Sequence, residues 1–393
     1  MEMISSPPRG YADRDRLDIE LFGRLCATET EAADYPHASD IERRIPVYDG
    51  DHVRKLLGDH AAERGLLAEW GRCLGSGPGV IAIRRGYDDV GVVDAMTEVF
   101  WRIIEAERAA GPVEFDHFAT PGSNTRVWNV IQKSALIDPA VALRYYANPV
   151  VALAAEAWLG PWYRLSAQVN VVHPGGSAQS PHRDYHLGFQ PADDVERFPL
   201  HVQMFNPMLT LQGAVVHSAM PVEAGPTQVL PYSQLALDGY LSWRDERFAA
   251  YFADHHVQLA FEPGDLLFFS PAIHHAAGAN RTADHDRIAN LLQISSVFAK
   301  AMEDIDTYAM AAATYPTLVD MASRGQLDAR QVECAIAAIA DGYSFPSNLD
   351  TDPPRYGHAP ETAQRMMARA VAEQWEAERF RAELIAQQLR RRA

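Results

Sequence analysis

Cysteine is scarce. The chain has three in 393 residues, Cys26, Cys73 and Cys334, far apart and in no metal-ligand spacing. A disulfide framework is therefore not expected, and a reducing compartment is the simple reading. Positive charge is also short: 35 Lys and Arg stand against 52 Asp and Glu, a net charge of −17. The acidic residues are spread along the chain rather than gathered in a block. No basic face is available for a phosphate backbone, so nucleic acid is not expected as a partner. Long apolar runs are missing too. The best candidate, Val150–Leu159, is too short for a membrane span and contains Glu156. The opening MEMISSPPRGYADRDR has no apolar stretch of the signal-peptide kind. A cytoplasmic protein with no membrane partner is expected. There is no internal repeat and no low-complexity segment.

The chain is 47% hydrophobic, ample for one large core with extensions. Residues 1 to about 50 are polar, carry Pro7, Pro8, Pro36 and Pro46, and read as a partly ordered arm. Asp51 to Gly75 turns helical, with Val53, Leu56, Leu57, His60, Leu67 and Trp70 near one face. Val80–Ile83 reads as a strand. A second helix follows Asp88 and Asp89, carries Val93, Met96, Phe100, Ile103 and Ile104 inward, and stops at Gly111-Pro112. Asn124 to Lys133 is ambiguous between strand and loop, and short helices are expected at Pro139–Tyr146 and Pro149–Trp158.

Arg164 to His173 alternates Leu165, Ala167, Val169 and Val171 against Ser166, Gln168 and Asn170, as a strand does. Further strands are expected at His201–Asn206, Gly213–Ser218, Gln228–Leu230, Val257–Phe261, Asp265–Phe269 and Arg287–Val297. Asp238–Asp254 reads as an insertion. Many short strands with Gly/Pro turns point to a jelly roll, the double-stranded β-helix of cupin-like proteins, flanked by N- and C-terminal helices. The divisions expected are 1–77 for the arm and first helix, 78–298 for the core and 299–393 for a helical extension. In the extension, one last helix is expected to carry Met367, Val371, Trp375, Ala382, Ile385 and Leu389 on a single stripe. That stripe is expected to pack on the chain's own N-terminal helices; a cover over the barrel mouth or a homodimer contact are the alternatives.

Two stretches carry the chemistry, Ser180–Phe189 (SPHRDYHLGF) and Asp265–Arg287. His182 and Asp184 are two apart, so on a strand both would leave one face. A histidine from a distant strand would complete a 2-His-1-carboxylate set, which leaves three metal positions open. His274 and His275 compete for that place; adjacent on a strand, they would face opposite ways. Arg287, twelve residues after His275, opens an apolar strand. Its planar guanidinium can grip a carboxylate with two parallel hydrogen bonds. Gln293 and Ser295 share its face, so they are expected to line the pocket, Gln293 among the residues near the bound carboxylate. Gln168 and Asn170 share the polar face of their own strand and could hydrogen-bond a bound molecule.

These stretches resemble the phytanoyl-CoA dioxygenase family of iron(II)/2-oxoglutarate oxygenases. The resemblance rests on His182–His186 (HRDYH), Ala224–Gln234 (AGPTQVLPYSQ), Pro263–Asp265 (PGD), His275–Thr282 (HAAGANRT) and Arg287, with LGPW at Leu159–Trp162 as a weaker match. It spans Pro78 to Phe298. It implies iron(II) on His182, Asp184 and His275, preferred to His274 by the spacing to Gly278-x-Asn280. It also implies 2-oxoglutarate gripped by Arg287, dioxygen as co-reactant, and release of succinate and CO2. Arg126 stands where the family has a basic residue near the cosubstrate. His186 repeats the family's H-x-D-x-H and is expected behind the ligands or in the pocket wall rather than on the metal, while Thr227 is expected to shape a turn. Asp184 speaks against halogenation, because the related halogenases lack that carboxylate. Two other classes remain open on the residues alone, a non-oxidative cupin-type isomerase or hydrolase and a silent binding protein on the same fold. Substrates in the family range from acyl-CoA thioesters to natural-product intermediates, and without a basic cluster for coenzyme A a small metabolite is expected.

Overall fold

The computed structural model describes residues 10–111 and 123–392. Pro7 and Pro8 of the expected arm, and Pro112 at the expected helix stop, lie outside the described residues. Ten strands occur among the described residues: β1 (Asp40–Glu42), β2 (Ile45–Asp49), β3 (Val80–Arg84), β4 (Asn124–Val127), β5 (Arg164–Val172), β6 (Thr210–Val216), β7 (Thr227–Leu230), β8 (Leu266–Phe269), β9 (His274–Ala277) and β10 (Arg287–Ser295). Eight form one mixed sheet in the order β1-β2-β3-β8-β6-β10-β5-β4, while β7 and β9 pair separately. Only β2 and β3 run parallel; the other pairs are antiparallel. The large sheet and the small one enclose a cavity in the jelly-roll manner, and helices flank the outside.

Alternation along each strand divides the large sheet into two working faces. Ile81, Ala167, Val169, Val171, Leu211, Val215, Phe268, Leu292 and Ile294 turn outward into the helix-covered core. Val80, Ala82, Val216, Leu267, Phe269 and Ala289 turn inward, towards the small sheet. The helix layer is set by strong local signals. Val90–Ala110 starts where the Asp89 side chain accepts from the Gly91 N–H. Pro139–Tyr146 and Pro149–Leu159 each place Pro in the first turn behind an Asp138 or Asn148 cap. His217 is buried in this layer, with Nδ1 2.8 Å from Thr97 Oγ1 and Nε2 2.7 Å from Tyr145 OH. Burial pushes it down to about 3, so it stays neutral.

Several expectations are corrected. The segment around Asp40–Asp49, read as part of an arm, forms the outer two strands of the large sheet and buries Ile45, Val47 and Tyr48. These strands are short and Pro46 interrupts their pattern, which is why no period is legible there. The helix expected over 51–75 is two, Gly50–Leu56 and His60–Gly75, divided at Gly58, whose φ of +89° glycine adopts without strain. Asn124 to Lys133 resolves into β4 followed by a helix, Val130–Ile137. His201–Asn206 is not a strand: Leu200–Phe205 is a helix behind Pro199, and Gln203 ties it by donating to the carbonyls of Val195 and Phe198. Val257–Phe261 makes only two isolated bridges, to Val229 and Met220. The expected insertion holds two helices, Gly239–Ser242 and Glu246–His255.

The C-terminal stripe is also corrected. The last helix is interrupted: Ala363–Ala372 and Ala377–Arg391 are separated by a turn in which Gln374 has φ 50°. The interruption resets the register, so Phe380 and Leu384 are buried while Ile385 and Leu389 stay 48% and 63% exposed. Both helices pack on Thr307–Ser323, which in turn lies against Val130–Ile137 and Pro139–Tyr146. The expected partners, the helices before residue 77, are not their main contacts.

Candidate metal centre

His182 and Asp184 do not sit on a strand, contrary to expectation. They lie on an extended segment held along the free edge of β9 by a single bridge. His182 N donates to the His275 carbonyl at 2.9 Å, His275 N donates to the His182 carbonyl at 3.1 Å, and Asp184 N donates to the Pro271 carbonyl at 3.0 Å. The segment then turns sharply, with positive φ at Tyr185 and His186, into a 3-10 turn over His186–Phe189. A side chain at Gly188 would put its Cβ 2.2 Å from the Arg183 carbonyl oxygen, so this turn needs glycine. Arg183, between the two candidate ligands, is buried, donates to the carbonyls of Ser233 and Ala236, and anchors the segment from behind.

β9 gives its two histidines to opposite sides. His275 faces the cavity, its ring 4.5 Å from that of His182. His274 faces away, into a buried niche beside Phe22 at 4.9 Å and Ser242 Oγ at 3.4 Å. Burial, aided by the Arg183 charge, holds His274 well below the usual histidine range.

His182, Asp184 and His275 each offer one ligand atom, and these atoms lie within 4.8 Å of one another. The outer nitrogen of each ring is occupied: His182 Nδ1 is 2.8 Å from the Ser180 carbonyl and His275 Nδ1 is 3.0 Å from the Ile273 carbonyl. A carbonyl only accepts, so each Nδ1 carries a proton, and in the neutral ring this leaves Nε2 with a lone pair for a metal. Those Nε2 atoms face Asp184, at 3.5 Å for His182 and 3.2 Å for His275. Gln212, in β6, donates its side-chain amide to Asp184 Oδ2. Burial alone would raise the Asp184 carboxyl, but the two imidazoles and Gln212 hold it below the usual carboxylate range. Two bare nitrogens and an anionic oxygen converging on one point fit a divalent metal, as the donor chemistry of such a set requires.

The cavity beside this point is about 320 Å³. The large sheet supplies Arg126 from β4, Gln168 and Asn170 from β5, Gln212, Ala214 and Val216 from β6, Leu267 and Phe269 from β8, and Arg287, Ala289, Leu291 and Gln293 from β10. The register explains the set: Arg126 pairs with Asn170, Asn170 with Ala289, Gln168 with Leu291 and Gln293 with Gln212. Ser295, expected on the same face, does not line it.

Arg287 is buried at the far end. Its Nη1 donates to the carbonyl of Gly225 and, at 3.5 Å, to that of Gly278. Among the described residues no carboxylate forms an ion pair with it. Burial, with the Arg126 charge nearby, brings its guanidinium down to about 10. The AGPT and HAAGAN stretches meet here: a Cβ at Gly225, whose φ is +70°, would lie 2.4 Å from the Ala279 carbonyl. Asn280 closes the turn before Arg287 by donating to the carbonyls of Val172 and His285 at 2.9 and 2.8 Å. Arg281 is exposed. Arg126 Nη1 donates to Gln168 Oε1 at 3.0 Å, and its guanidinium lies 5.3 Å from the Trp128 ring centroid.

Two readings of wall residues are corrected. His186 turns away from the cavity towards Phe198 and Phe205, because the positive-φ turn rotates it out of the H-x-D direction. Thr227 lies in β7 and lines the cavity. Gln212, Trp128, Phe189 and Gln179 were not singled out from the sequence. The inward alternation of Gln212, Ala214 and Val216 was the one signal that could have found the first of them.

A jelly roll that gathers two histidines, an aspartate and a distal arginine around one cavity defines a class of metal-dependent protein. Residues 76–289 match the family described as Phytanoyl-CoA dioxygenase (PhyH), and the chain belongs to that family. No curated protein matches the sequence. Solved structures similar to it include the non-heme alpha ketoglutarate dependent carbocyclase SnoK from nogalamycin biosynthesis, 19% identical, with 62% of this chain and 89% of that chain covered and a TM-score of 0.46. The epimerase SnoN from the same biosynthesis is 20% identical over 60% of this chain and 83% of its own, with a TM-score of 0.41. HygX from Streptomyces hygroscopicus, solved with nickel and 2-oxoglutarate bound, is 14% identical over 58% of this chain and 87% of its own, with a TM-score of 0.40.

Proposed function

We propose that the chain is an iron(II)- and 2-oxoglutarate-dependent dioxygenase that hydroxylates a C–H bond of a small metabolite or natural-product intermediate. The observation that supports this best is the convergence of three electron-pair donors, two imidazole Nε2 and the Asp184 carboxylate, in the cavity that also holds the buried Arg287. When bound, iron(II) with 2-oxoglutarate and dioxygen supplies the oxidation, with release of succinate and CO2.

The chain's own residues do the rest. His182, Asp184 and His275 would hold the metal at the wall of the cavity. The Ser180 and Ile273 carbonyls fix both rings in the tautomer that coordinates, and Gln212 fixes the carboxylate. Arg287 would grip the distal carboxylate of the cosubstrate. Phe261, Phe269, Met220 and Val216 exclude water from the inner end, so this charge pair forms in low dielectric. Arg126, Gln168 and Asn170 complete the wall beside it.

The reading carries a cytoplasmic setting, which the three buried, free cysteines support. No helix among the described residues is long and apolar enough to cross a membrane. It also keeps 78–298 as the oxygenase core, with a homodimer through the C-terminal helices as a secondary proposal. The test is a titration of metal-free protein with iron(II) and then 2-oxoglutarate without oxygen, followed by admission of oxygen and assay of succinate. Binding of both and oxygen-dependent succinate are expected. A protein that binds neither iron nor 2-oxoglutarate overturns the reading.

A further inference from the structure

The cavity has a graded wall. Its inner end is sealed by buried apolar side chains around Arg287. Its outer end is bordered by Trp128 and Phe189, 36% and 45% exposed, and by Met302. Between the ends lie side-chain amides that are not equally committed. Gln212 gives its side-chain N–H to Asp184, while its Oε1 has no partner among the described residues, and Gln168 accepts from Arg126. Asn170 and Gln293 likewise have a side-chain oxygen without a hydrogen-bond partner among the described residues, and of these two Gln293 is the one set beside the Asp184 contact. It pairs directly with Gln212 across β10 and β6, so its side chain stands about 5 Å along the same face, one strand from the group that holds the metal's carboxylate ligand. Its Oε1 is buried with no hydrogen-bond partner among the described residues. A buried amide left without a partner costs free energy that a bound polar group would recover.

The charges in the wall point the same way. Among the described lining residues the only acid is Asp184, and no lysine is present. Arg287 lies at the cosubstrate end, and Arg126 is engaged by Gln168 and lies over Trp128. The outer half of the cavity therefore offers amides and aromatic faces, with the Arg126 guanidinium held between Gln168 and Trp128. At about 320 Å³ the cavity is at the small end of ligand pockets, roughly 300–1,000 Å³, and the cosubstrate takes a share of it.

We propose that the substrate is a compact, uncharged, amphipathic molecule whose hydroxyl, carbonyl or amide group bonds to the Gln293 amide while its apolar body lies on Trp128, Phe189 and Met302. This excludes acyl-CoA thioesters and phosphorylated metabolites, and it makes Gln293 a specificity-determining residue. It rests on the oxygenase reading, because the cosubstrate must occupy the Arg287 end.

The test uses the full chain loaded with nickel(II) and 2-oxoglutarate, which bind without turnover. A fragment set divided equally among uncharged, anionic and cationic members is screened by ligand-observed NMR, and hits are titrated by calorimetry. Uncharged fragments carrying both a ring and one hydrogen-bonding group should dominate. Gln293→Leu should weaken them about tenfold, the value of one hydrogen bond in a pocket, and leave 2-oxoglutarate binding within the wild-type range. Gln293→Glu, which keeps the shape, should shift the hits towards cationic fragments, so the idea survives a poorly folded Leu variant. Hits that are mainly anionic, an unchanged hit set in both variants, no hits at all, or loss of 2-oxoglutarate affinity in the variants would overturn it. Failure of the wild type to bind 2-oxoglutarate would instead overturn the oxygenase reading, so the two failures are distinct.

Discussion

Gln212 donates its side-chain amide to Asp184 Oδ2, the same oxygen that faces His275 Nε2 at 3.2 Å. The two residues are 28 apart in sequence and belong to different layers, one to the large sheet and one to the segment bridged to β9. The contact makes the direction of the carboxylate depend on the packing of the two sheets. Groups that orient a ligand in this way commonly matter about ten- to a hundredfold to metal affinity. Gln212→Ala should weaken nickel(II) binding by that factor, measured by competition with a chelator, while Gln212→Glu should weaken it by placing a second carboxylate against the first. Unchanged affinity in the Ala variant would reduce Gln212 to a packing residue.

The two neighbouring histidines should separate cleanly. His275→Ala removes a donor and should abolish metal binding with the fold retained. His274→Ala should keep the metal but lose about 1–3 kcal/mol of stability, since it empties a buried niche against Phe22 and Ser242. Metal content by elemental analysis and a chemical denaturation curve on each variant decide the matter. The opposite pattern would move the third ligand to His274.

How much of this could be read from the chain depends on how far apart the partners are. The short H-x-D motif, the double histidine and the arginine that opens β10 were legible because each is a local pattern with a distinct chemistry. The spacing did not reveal that His182 and Asp184 ride on a one-bridge segment, since that bridge is made with β9. Gln212 was not legible as a working residue because its partner lies outside its own strand. Likewise, Val202 and Met204 alternate as a strand would, yet Pro199 starts a helix that Gln203 then ties down. In the last helices, the turn at Gln374 moved burial from Ile385 and Leu389 to Phe380 and Leu384, a change that no uninterrupted 3.6-residue period contains.

The cosubstrate assignment gives a paired prediction. Arg287 is buried and Arg281 is exposed, although only a turn separates them. Leaving a buried carboxylate unpaired costs roughly 2–5 kcal/mol. Arg287→Ala should therefore raise the apparent 2-oxoglutarate dissociation constant at least about tenfold, and Arg281→Ala should leave it near wild type. Calorimetric titration of both variants with nickel(II) bound is sufficient, and the reverse ranking would mean that another cation grips the distal carboxylate.

Glu303 gives a prediction in pH. Burial raises its carboxyl from 4.5 to about 7, against the opposing pull of the Asn129 N–H, which donates to it, and of Lys133. In the folded chain the group keeps its proton at pH values where the unfolded chain has lost it. Its contribution is therefore complete below about 4.5 and is lost as pH rises through about 7, at most roughly 3 kcal/mol in total. Glu303→Gln should remove that dependence, so the variant should gain on the wild type between pH 5 and pH 8. Parallel denaturation curves for the two proteins at pH 5 and pH 8 would refute the assignment.

The C-terminal helices make the last prediction. Tyr315, in the helix Thr307–Ser323, stacks on Phe380 with ring centroids 4.0 Å apart and donates its hydroxyl to the carbonyls of Ala370 and Trp375 at 3.0 and 2.8 Å. Met366, Met367, Ala370, Trp375 and Leu384 are buried around this pair. The same Thr307–Ser323 helix lies on Val130–Ile137, directly after Trp128 at the cavity mouth. Removing the residues after Tyr356 should uncover the surface that these side chains now bury, and the shortened chain should aggregate. Phe380→Ala, a milder change, should cost about 3–5 kcal/mol and leave an intact but less stable protein. Size-exclusion chromatography of the truncated chain, with 2-oxoglutarate binding measured alongside, separates the possibilities. A truncated monomer that stays folded and still binds the cosubstrate would show that these helices are dispensable for the core. A shift from dimer to monomer would assign the exposed Ile385 and Leu389 to a subunit interface.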